Sequence, residues 1–359
     1  MQRMAPRFVR PHVRALDGPA REPPPAAGER VIKLNSNENP FPPSPKVMQA
    51  IQNIEPELLR RYPDPSARAF REVAATVLGV GPEMILAGNG ADDLLAIAAR
   101  TFIASGGTLA VPQPTYTLFP VLAQLSDAKF TAVDWEKNWS LPVDALVAAK
   151  PDAIFLANPN TPSGTFVQPS KLAELAGAFS GLLLIDETYV DFADANCLDL
   201  VREFSNVIVV RSLSVGYALA GLRFGFAVGQ VEVIEEMNKA KDAFNCDAVA
   251  ISAATAAIED QEYASRTWQQ VRAERQRVGV ELEQLGWSAL PSQANFLLAT
   301  CPDGRGRDAF LGLKEQGILV RHFEKSPLTD KLRISIGTSQ ENNALLGGIK
   351  ALAAAEKAA

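Results

Sequence analysis

Short apolar runs alternate with helical patterns through the middle of the chain. Four such runs, each ending in polar or turn residues, predict buried strands: "TLAVPQPTY", "AIFLANPNTPSG", "GLLLIDETYVDF" and "NVIVVRSLS". Ahead of them, "EMILAGNG" (Glu83–Gly90) predicts a strand that ends in a glycine turn, and "ADDLLAIAARTFI" predicts a helix, because its apolar residues recur at helical spacing. Strands that are apolar on both faces and separated by helices indicate a mostly parallel sheet between helices, in an α/β fold.

The pattern changes in the last third of the chain. A long helical region begins at about Val249, and its second half is charged and amphipathic. The runs "FLLATC", "GILVRHF" and "LRISIGT" then predict strands of a smaller α+β domain, and a helix ends the chain. A length of 359 residues suits two domains. We expect an N-terminal arm and small-domain segment at residues 1–47, with a proline-rich strap at Pro19–Gly28, a large domain at 48–247 and a C-terminal small domain at 248–359.

Composition excludes several classes of function. The formal net charge is −6 and no basic run is present, so nucleic acid is not expected as a partner. The longest apolar runs are too short to span a bilayer, and no membrane role is expected. Three widely spaced cysteines argue against a disulfide framework and predict a cytoplasmic location. Two histidines are too few for a multi-histidine metal site, so no metal is expected.

Polar side chains follow the predicted strands, where open α/β sheets bind their ligands. Ala91 and Asp92 follow a glycine turn and open a helix, whose free N–H groups suit a phosphate. In "RSLSVGYALAGLR", Ser212 and Ser214 offer hydroxyl groups and Arg223 offers a guanidinium, which also suit a phosphate dianion. Each feature alone has an ordinary structural explanation.

A phosphorylated aromatic ring would bring the remaining polar residues together. Tyr116 would stack on the ring, Asp186 would hold a ring N–H⁺, and Asn158 with Tyr189 would bind a phenolic oxygen. Pyridoxal 5′-phosphate (PLP) has this shape, and an acid at its ring nitrogen keeps it an electron sink.

A series of motifs in order along the chain supports this interpretation. By these motifs the chain resembles fold-type-I PLP-dependent enzymes and, more closely, the histidinol-phosphate aminotransferase family: "LNSNENPFPPSP", "RYPDP", "GNGADD", "PTYTLF", "NPNTPSG", "DETYVDF", "RSLSVGYALAGLRFGF", "PSQANFLL", "GILVR" and "LRISIGT". The resemblance implies the fold-type-I architecture, a homodimer, and amino transfer between L-histidinol phosphate and 2-oxoglutarate.

The resemblance also implies roles for residues outside the strand ends. Tyr62 would reach the cofactor phosphate of the partner subunit. Arg333 would bind the α-carboxylate of an amino-acid substrate, Arg321 would bind the phosphate end of the substrate, and Asn37 would belong to the same substrate site.

The departure from the family lies at Val215. Where the family has Ser-Lys, this chain has Ser214-Val215, and that lysine bonds covalently to PLP and moves a proton during the reaction. Valine can do neither, so we expect noncovalent PLP and reduced turnover. Two alternatives stay open: a lysine-less protein that binds PLP or a phosphorylated amine without turnover, and a related PLP enzyme such as an aromatic aminotransferase or a threonine-phosphate decarboxylase.

Overall fold

The structure is a computed structural model that describes residues 8–16 and 31–358. The predicted strap at Pro19–Gly28 lies outside the described residues. The strands, in chain order, are β1 (Ile32–Lys33), β2 (Ile85–Gly88), β3 (Thr108–Gln113), β4 (Lys129–Asp134), β5 (Ala153–Ala157), β6 (Leu182–Asp186), β7 (Val207–Ser212), β8 (Gly225–Val228), β9 (Ser288–Ala289), β10 (Phe296–Thr300), β11 (Ile318–Leu319), β12 (Arg321–His322) and β13 (Lys331–Ser335).

Helices connect most of these strands and cover the larger sheet. They are α1 (Pro11–Arg14), α2 (Pro45–Gln52), α3 (Pro56–Arg60), α4 (Arg68–Leu78), α5 (Ala91–Phe102), α6 (Leu118–Leu125), α7 (Val143–Ala148), α8 (Pro169–Ala178), α9 (Leu198–Glu203), α10 (Val231–Ala240), α11 (Ala248–Glu259), α12 (Gln261–Gln284), α13 (Gly306–Glu315) and α14 (Ser339–Ala358).

The central sheet has seven strands in the order β2-β8-β7-β6-β5-β3-β4. Strands β3 to β7 pair in parallel with their neighbours, and β8 runs antiparallel to both β7 and β2. This confirms the predicted α/β fold with a mostly parallel sheet. Because β5, β6 and β7 run in the same direction, their carboxyl ends meet at one edge of the sheet.

Alternating residues of the central strands fill two separate cores. In β6, Leu183 and Ile185 face one buried cluster, whereas Leu182 and Leu184 face another on the opposite side of the sheet. Successive side chains of a strand point to opposite faces, so a strand that is covered by helices on both sides must be apolar throughout. This explains why the sequence shows unbroken apolar runs here.

The smaller domain is built around an antiparallel sheet in the order β12-β13-β10-β9. The run "GILVRHF", predicted as one strand, is two strands in different sheets: β11 pairs in parallel with β1, and β12 pairs with β13. The break falls at Val320, whose side chain is buried in the core of the small domain. Burial of this one residue turns the chain from one sheet into the other.

The long helical region is also interrupted, at Asp260 between α11 and α12. The Asp260 carboxylate accepts a hydrogen bond from the Ser44 hydroxyl and lies 3.5 Å from Lys46 Nζ. Buried residues of α11, such as Ala253 and Ala254, belong to one core of the central sheet. We therefore propose that the boundary of the large domain lies near Asp260 rather than at residue 248.

Candidate active site

A cavity of about 240 Å³ opens at the carboxyl ends of the central strands. Eight of the predicted cofactor residues line it: Ala91, Asp92, Tyr116, Asp186, Tyr189, Ser212, Ser214 and Arg223. The predicted Asn37 and Val215 also line it. The structure thus brings together residues that are far apart in the sequence, because β6, β7 and α5 all present an end at the same edge.

One end of the cavity is formed by the first turn of α5. The helix begins at Ala91 after Gly90, whose φ of +83° lies in the left-handed region that favours glycine. A Cβ atom at this position would also come within 2.8 Å of Arg223 Nη2. Asp93 accepts a hydrogen bond from the Asn89 backbone N–H at 2.9 Å, which fixes the turn. The backbone N–H groups of the first helical turn are left for a ligand.

Arg223 reaches the same end of the cavity from the far side. Its Nη2 lies 3.3 Å from the Asp92 carboxylate, and its Nη1 is 3.4 Å from Ser214 Oγ. The Tyr116 hydroxyl donates to the other oxygen of Asp92 at 2.8 Å, and burial raises the pKa of Tyr116. A guanidinium, a hydroxyl group and a helix N-terminus therefore converge on one small volume, as a bound phosphate requires.

Asp186, the last residue of β6, also lines the cavity. It is 4% exposed, and its Oδ1 accepts hydrogen bonds from the backbone and the hydroxyl of Thr188 at 3.0 and 2.6 Å. Burial raises its pKa to about 6, although the two hydrogen bonds from Thr188 lower it. A buried carboxylate of this kind is stabilised by a ligand that brings a positively charged N–H.

Tyr189 and Asn37 form the wall between the two domains. The Asn37 side-chain amide donates to the Tyr189 hydroxyl at 3.0 Å. Burial raises the pKa of Tyr189, and the nearby Arg333 guanidinium opposes that shift. Arg333 in turn donates to Thr161 Oγ1 at 3.3 Å and to the Asn35 carbonyl at 2.9 Å. The phenol is therefore held in its neutral form beside the cavity.

The structure does not bring Asn158 to the cavity. Its side chain is fully buried and exchanges two hydrogen bonds with the Val167 backbone, at 3.0 and 2.8 Å. Thr161, three residues later in "NPNTPSG", lines the cavity instead. Asn158, which the sequence pattern singled out, therefore lies outside the cavity lining, and its cofactor role stays a prediction. Both side chains are polar, and only the path of the loop distinguishes them.

Three other predicted residues lie outside the cavity lining. Arg321 pairs opposite Arg333 across β12 and β13, so the two arginines are neighbours in the small-domain sheet. Tyr62 is 81% exposed and stacks on Phe244, with 4.5 Å between ring centroids. Their substrate and partner roles stay predictions. Lining residues that the sequence did not single out are Ser36, Glu38, Thr161, Thr188 and Ala220; all five lie within motifs that it did single out.

Val215 presents an apolar side chain to the cavity. It is 8% exposed and belongs to a buried cluster that includes Leu34 and Phe192. The Asn39 side chain holds the loop by donating to the carbonyls of Val215 and Gly216, at 2.9 and 3.2 Å. Among the described residues that line the cavity there is no lysine.

Two further features define the chemistry that the described part of the chain can support. Residues 8–16 and 31–358 contain no group of three or more His, Cys, Asp and Glu side chains arranged to hold a metal ion. Within the same ranges, every helix is too short or too polar to cross a membrane. The site is thus one of hydrogen-bond donors, carboxylates and one guanidinium.

Comparisons with known proteins agree with this geometry. Residues 29–349 match the family model described as aminotransferase class I and II. The chain is 44% identical to histidinol-phosphate aminotransferase 1 of Trichormus variabilis, over 96% of this chain and 99% of that protein. It is 42% identical to the histidinol-phosphate aminotransferase of Rhodopirellula baltica, over 91% and 90% of the two chains.

A solved structure extends the comparison to the fold. The histidinol-phosphate aminotransferase of Sinorhizobium meliloti, crystallised in complex with pyridoxal-5′-phosphate, superposes with a TM-score of 0.89 at 25% identity, over 97% of this chain and 99% of that one. The comparisons by sequence and by fold agree. The chain therefore belongs to the class I and II aminotransferases and, within them, to the histidinol-phosphate aminotransferase family.

Proposed function

We propose that the cavity binds PLP, with its phosphate at the α5 N-terminus and its ring nitrogen toward Asp186. The observation that carries this proposal is that a buried acid, Asp186, and a guanidinium, Arg223, line the same cavity of about 240 Å³. The left-handed Gly90 supports it, because a side chain there would fill the space between α5 and Arg223. When bound, PLP supplies an electron sink for bonds broken at the amino-bearing carbon of a substrate.

The proposed substrates are L-histidinol phosphate as amino donor and 2-oxoglutarate as acceptor. The names of the relatives at 42–44% identity support the first. Arg321 and Arg333, opposite one another across β12 and β13, place two guanidinium groups on the small-domain side, which suits a phosphate on one substrate and a carboxylate on the other. An aromatic aminotransferase or a threonine-phosphate decarboxylase would use the same cofactor residues. The substrate that the protein accepts therefore distinguishes these activities.

Turnover is proposed to be reduced by Val215, the position where the family has its lysine. A valine side chain neither bonds to a ligand aldehyde nor moves a proton. Tyr189 is a poor substitute, since burial raises its pKa and the phenol keeps its proton. Loss of a positioned base lowers a rate by roughly 10²–10⁴-fold. A non-catalytic binder of PLP or of a phosphorylated amine would show no turnover at all.

We also propose a homodimer located in the cytoplasm. The exposed Tyr62 ring, stacked on Phe244, and the exposed Leu59 three residues earlier in the chain offer apolar surface to a second copy. The three cysteines are free and buried, which suits a reducing compartment.

The test is restoration of the amine. Val215→Lys, incubated with PLP and reduced with borohydride, is expected to carry the cofactor covalently at residue 215 by peptide mass spectrometry and to gain amino transfer from histidinol phosphate. Val215→Met, which has a similar length but no amine, is the matched control and should gain neither. Absence of a reducible adduct in Val215→Lys would refute the assignment of the cavity.

A further inference from the structure

Negatively charged side chains outnumber positively charged ones in the lining of the cavity. The residues that line it include three carboxylates, Glu38, Asp92 and Asp186, and one cation, Arg223. Arg223 lies 3.3 Å from Asp92, so part of its charge is already balanced. Bringing a ligand phosphate to Arg223 adds further negative charge. A ligand with a positive group at its other end would therefore be favoured.

Cations on neighbouring elements reduce this imbalance only in part. Lys33, on β1, pairs with Glu38 at 2.7 Å, and both side chains are about half exposed, so water screens the pair. Arg333, on β13, donates to Thr161 and to the Asn35 carbonyl on the small-domain side. Asp186 accepts its hydrogen bonds from the neutral Thr188.

The apolar side of the cavity offers no group that could bond to an aldehyde on the ligand. Val215 packs into the cluster with Leu34 and Phe192, and no lysine is among the described lining residues, so an aldehyde on the ligand finds no amine to bond with. An aldehyde also carries no charge for the surrounding carboxylates to stabilise. An amine on the same carbon is cationic at neutral pH, so it is attracted by the net negative charge of the lining and the bound phosphate, which remains after Asp186 meets the ring N–H⁺ and Arg223 meets Asp92.

We propose that the cavity is selective for the amine form of the cofactor, pyridoxamine 5′-phosphate, over the aldehyde form, and that Val215 together with the lining carboxylates determines this preference. The inference rests on the proposed binding of a vitamin B6 phosphate. On this proposal the chain receives and retains the aminated cofactor. Val215 then contributes to specificity, where the lysine of the family contributes to catalysis.

Calorimetry on the full-length chain, freed of bound cofactor and kept in an amine-free buffer, tests the proposal. The three titrants are pyridoxamine 5′-phosphate, PLP and pyridoxine 5′-phosphate, which differ only in the group on one carbon: amine, aldehyde or neutral hydroxyl. We expect the amine to bind about tenfold or more tightly than the hydroxyl, since hydrogen bonds to charged groups contribute that much. PLP should bind no better than the hydroxyl form.

Two variants separate the charge effect from a change of shape. Val215→Lys places an ammonium beside the ligand amine and should lose the amine preference, whereas Val215→Met, equally long and uncharged, should keep it. Both are first compared with the parent chain by circular dichroism melting. Equal binding of the amine and hydroxyl forms, or an amine preference that survives in Val215→Lys, would overturn the proposal. Failure of all three titrants to bind would instead refute the cofactor site itself.

Discussion

The backbone at Gly216 lies directly against the carboxylate of Asp191. A Cβ atom on residue 216 would come within 1.8 Å of Asp191 Oδ2, and its closest neighbours all belong to that one side chain. The loop that carries Val215 is therefore positioned by contact with Asp191, a partly buried acid. This contact explains why a glycine follows Val215, since any side chain there would have to displace the carboxylate.

We predict that Gly216→Ala destabilises the protein by about 1–3 kcal/mol, as overpacking in a core does. Combining it with Asp191→Ala should cost less than the sum of the single changes, because the second change removes the clash. Urea denaturation measures both. Gly221→Ala is the matched control, since a Cβ atom there meets nothing within 4 Å. Strict additivity of the two changes would contradict the contact.

A second prediction at this scale concerns pH. Burial raises the pKa of Asp191 to about 7, although Arg211 and Arg272 lower it. The folded state therefore binds a proton that the unfolded state, with a pKa of 3.8, has released. Between these two values the stability contributed by this proton falls as pH rises. We expect Asp191→Asn to be more stable relative to the parent chain at pH 8 than at pH 5.

Urea denaturation of both proteins at the two pH values checks the prediction. Asp186, whose pKa is raised in the same direction, is present in both proteins and so does not affect the difference between them. A difference in stability that is the same at pH 5 and pH 8 would show that Asp191 is ionised in the folded state at both.

Sequence patterns singled out residues that line the cavity where a residue type is chemically distinctive. Asp186 and Arg223 could be found, because an acid at the end of an apolar run and an arginine in a serine-rich loop stand out. Asn158 and Thr161 could not be told apart, since both are short polar residues in one turn and their orientation depends on the loop backbone. The contact between Gly216 and Asp191 had no signal in the sequence, because 25 positions separate the two residues.

At the scale of elements, strands β12 and β13 place Arg321 and Arg333 side by side. The sequence predicted both strands but not the division of "GILVRHF" between two sheets. An apolar run shows that a segment is buried, and it does not show which neighbour the segment pairs with. The central strands were easier to predict, since helices cover both of their faces and the runs are uniformly apolar.

This arrangement leads to a prediction in the Val215→Lys background, where turnover can be measured. Arg333→Gln should raise KM mainly for 2-oxoglutarate, by about tenfold or more, through loss of charged hydrogen bonds to its carboxylate. Arg321→Gln should raise KM mainly for histidinol phosphate. Steady-state kinetics with each substrate varied in turn gives the comparison. Equal effects of the two changes on both substrates would remove the proposed division of roles.

At the scale of the whole molecule, exposed apolar side chains occur on α3 and just after it. Leu59 is 60% exposed and Tyr62 is 81% exposed, and Tyr62 stacks on the partly exposed Phe244. An apolar surface of this kind marks an interaction site in a folded protein. The sequence indicated this site only through the family resemblance, since exposure depends on how the whole chain is packed.

We predict that the protein sediments as a dimer of its 38.6 kDa chain and that Leu59→Asp shifts it toward the monomer. A charge placed in an apolar interface is buried without a partner, which opposes association. Leu311→Asp, on α13, changes a leucine of similar exposure elsewhere and should remain dimeric. Analytical ultracentrifugation of the three proteins would contradict the proposal if Leu59→Asp and the parent chain sedimented alike.

The pairing of β1 with β11 determines when the cavity can form during synthesis. Ile32 and Lys33 obtain their strand partners only at Ile318 and Leu319, near the other end of the chain. The next residues after β1, Ser36 to Glu38, line the cavity. A ribosome must therefore translate almost the whole message before this wall can fold into place. We therefore expect the complete pocket to form only late in synthesis, and a chain truncated before β11 to contain the strands of the central sheet without a complete pocket.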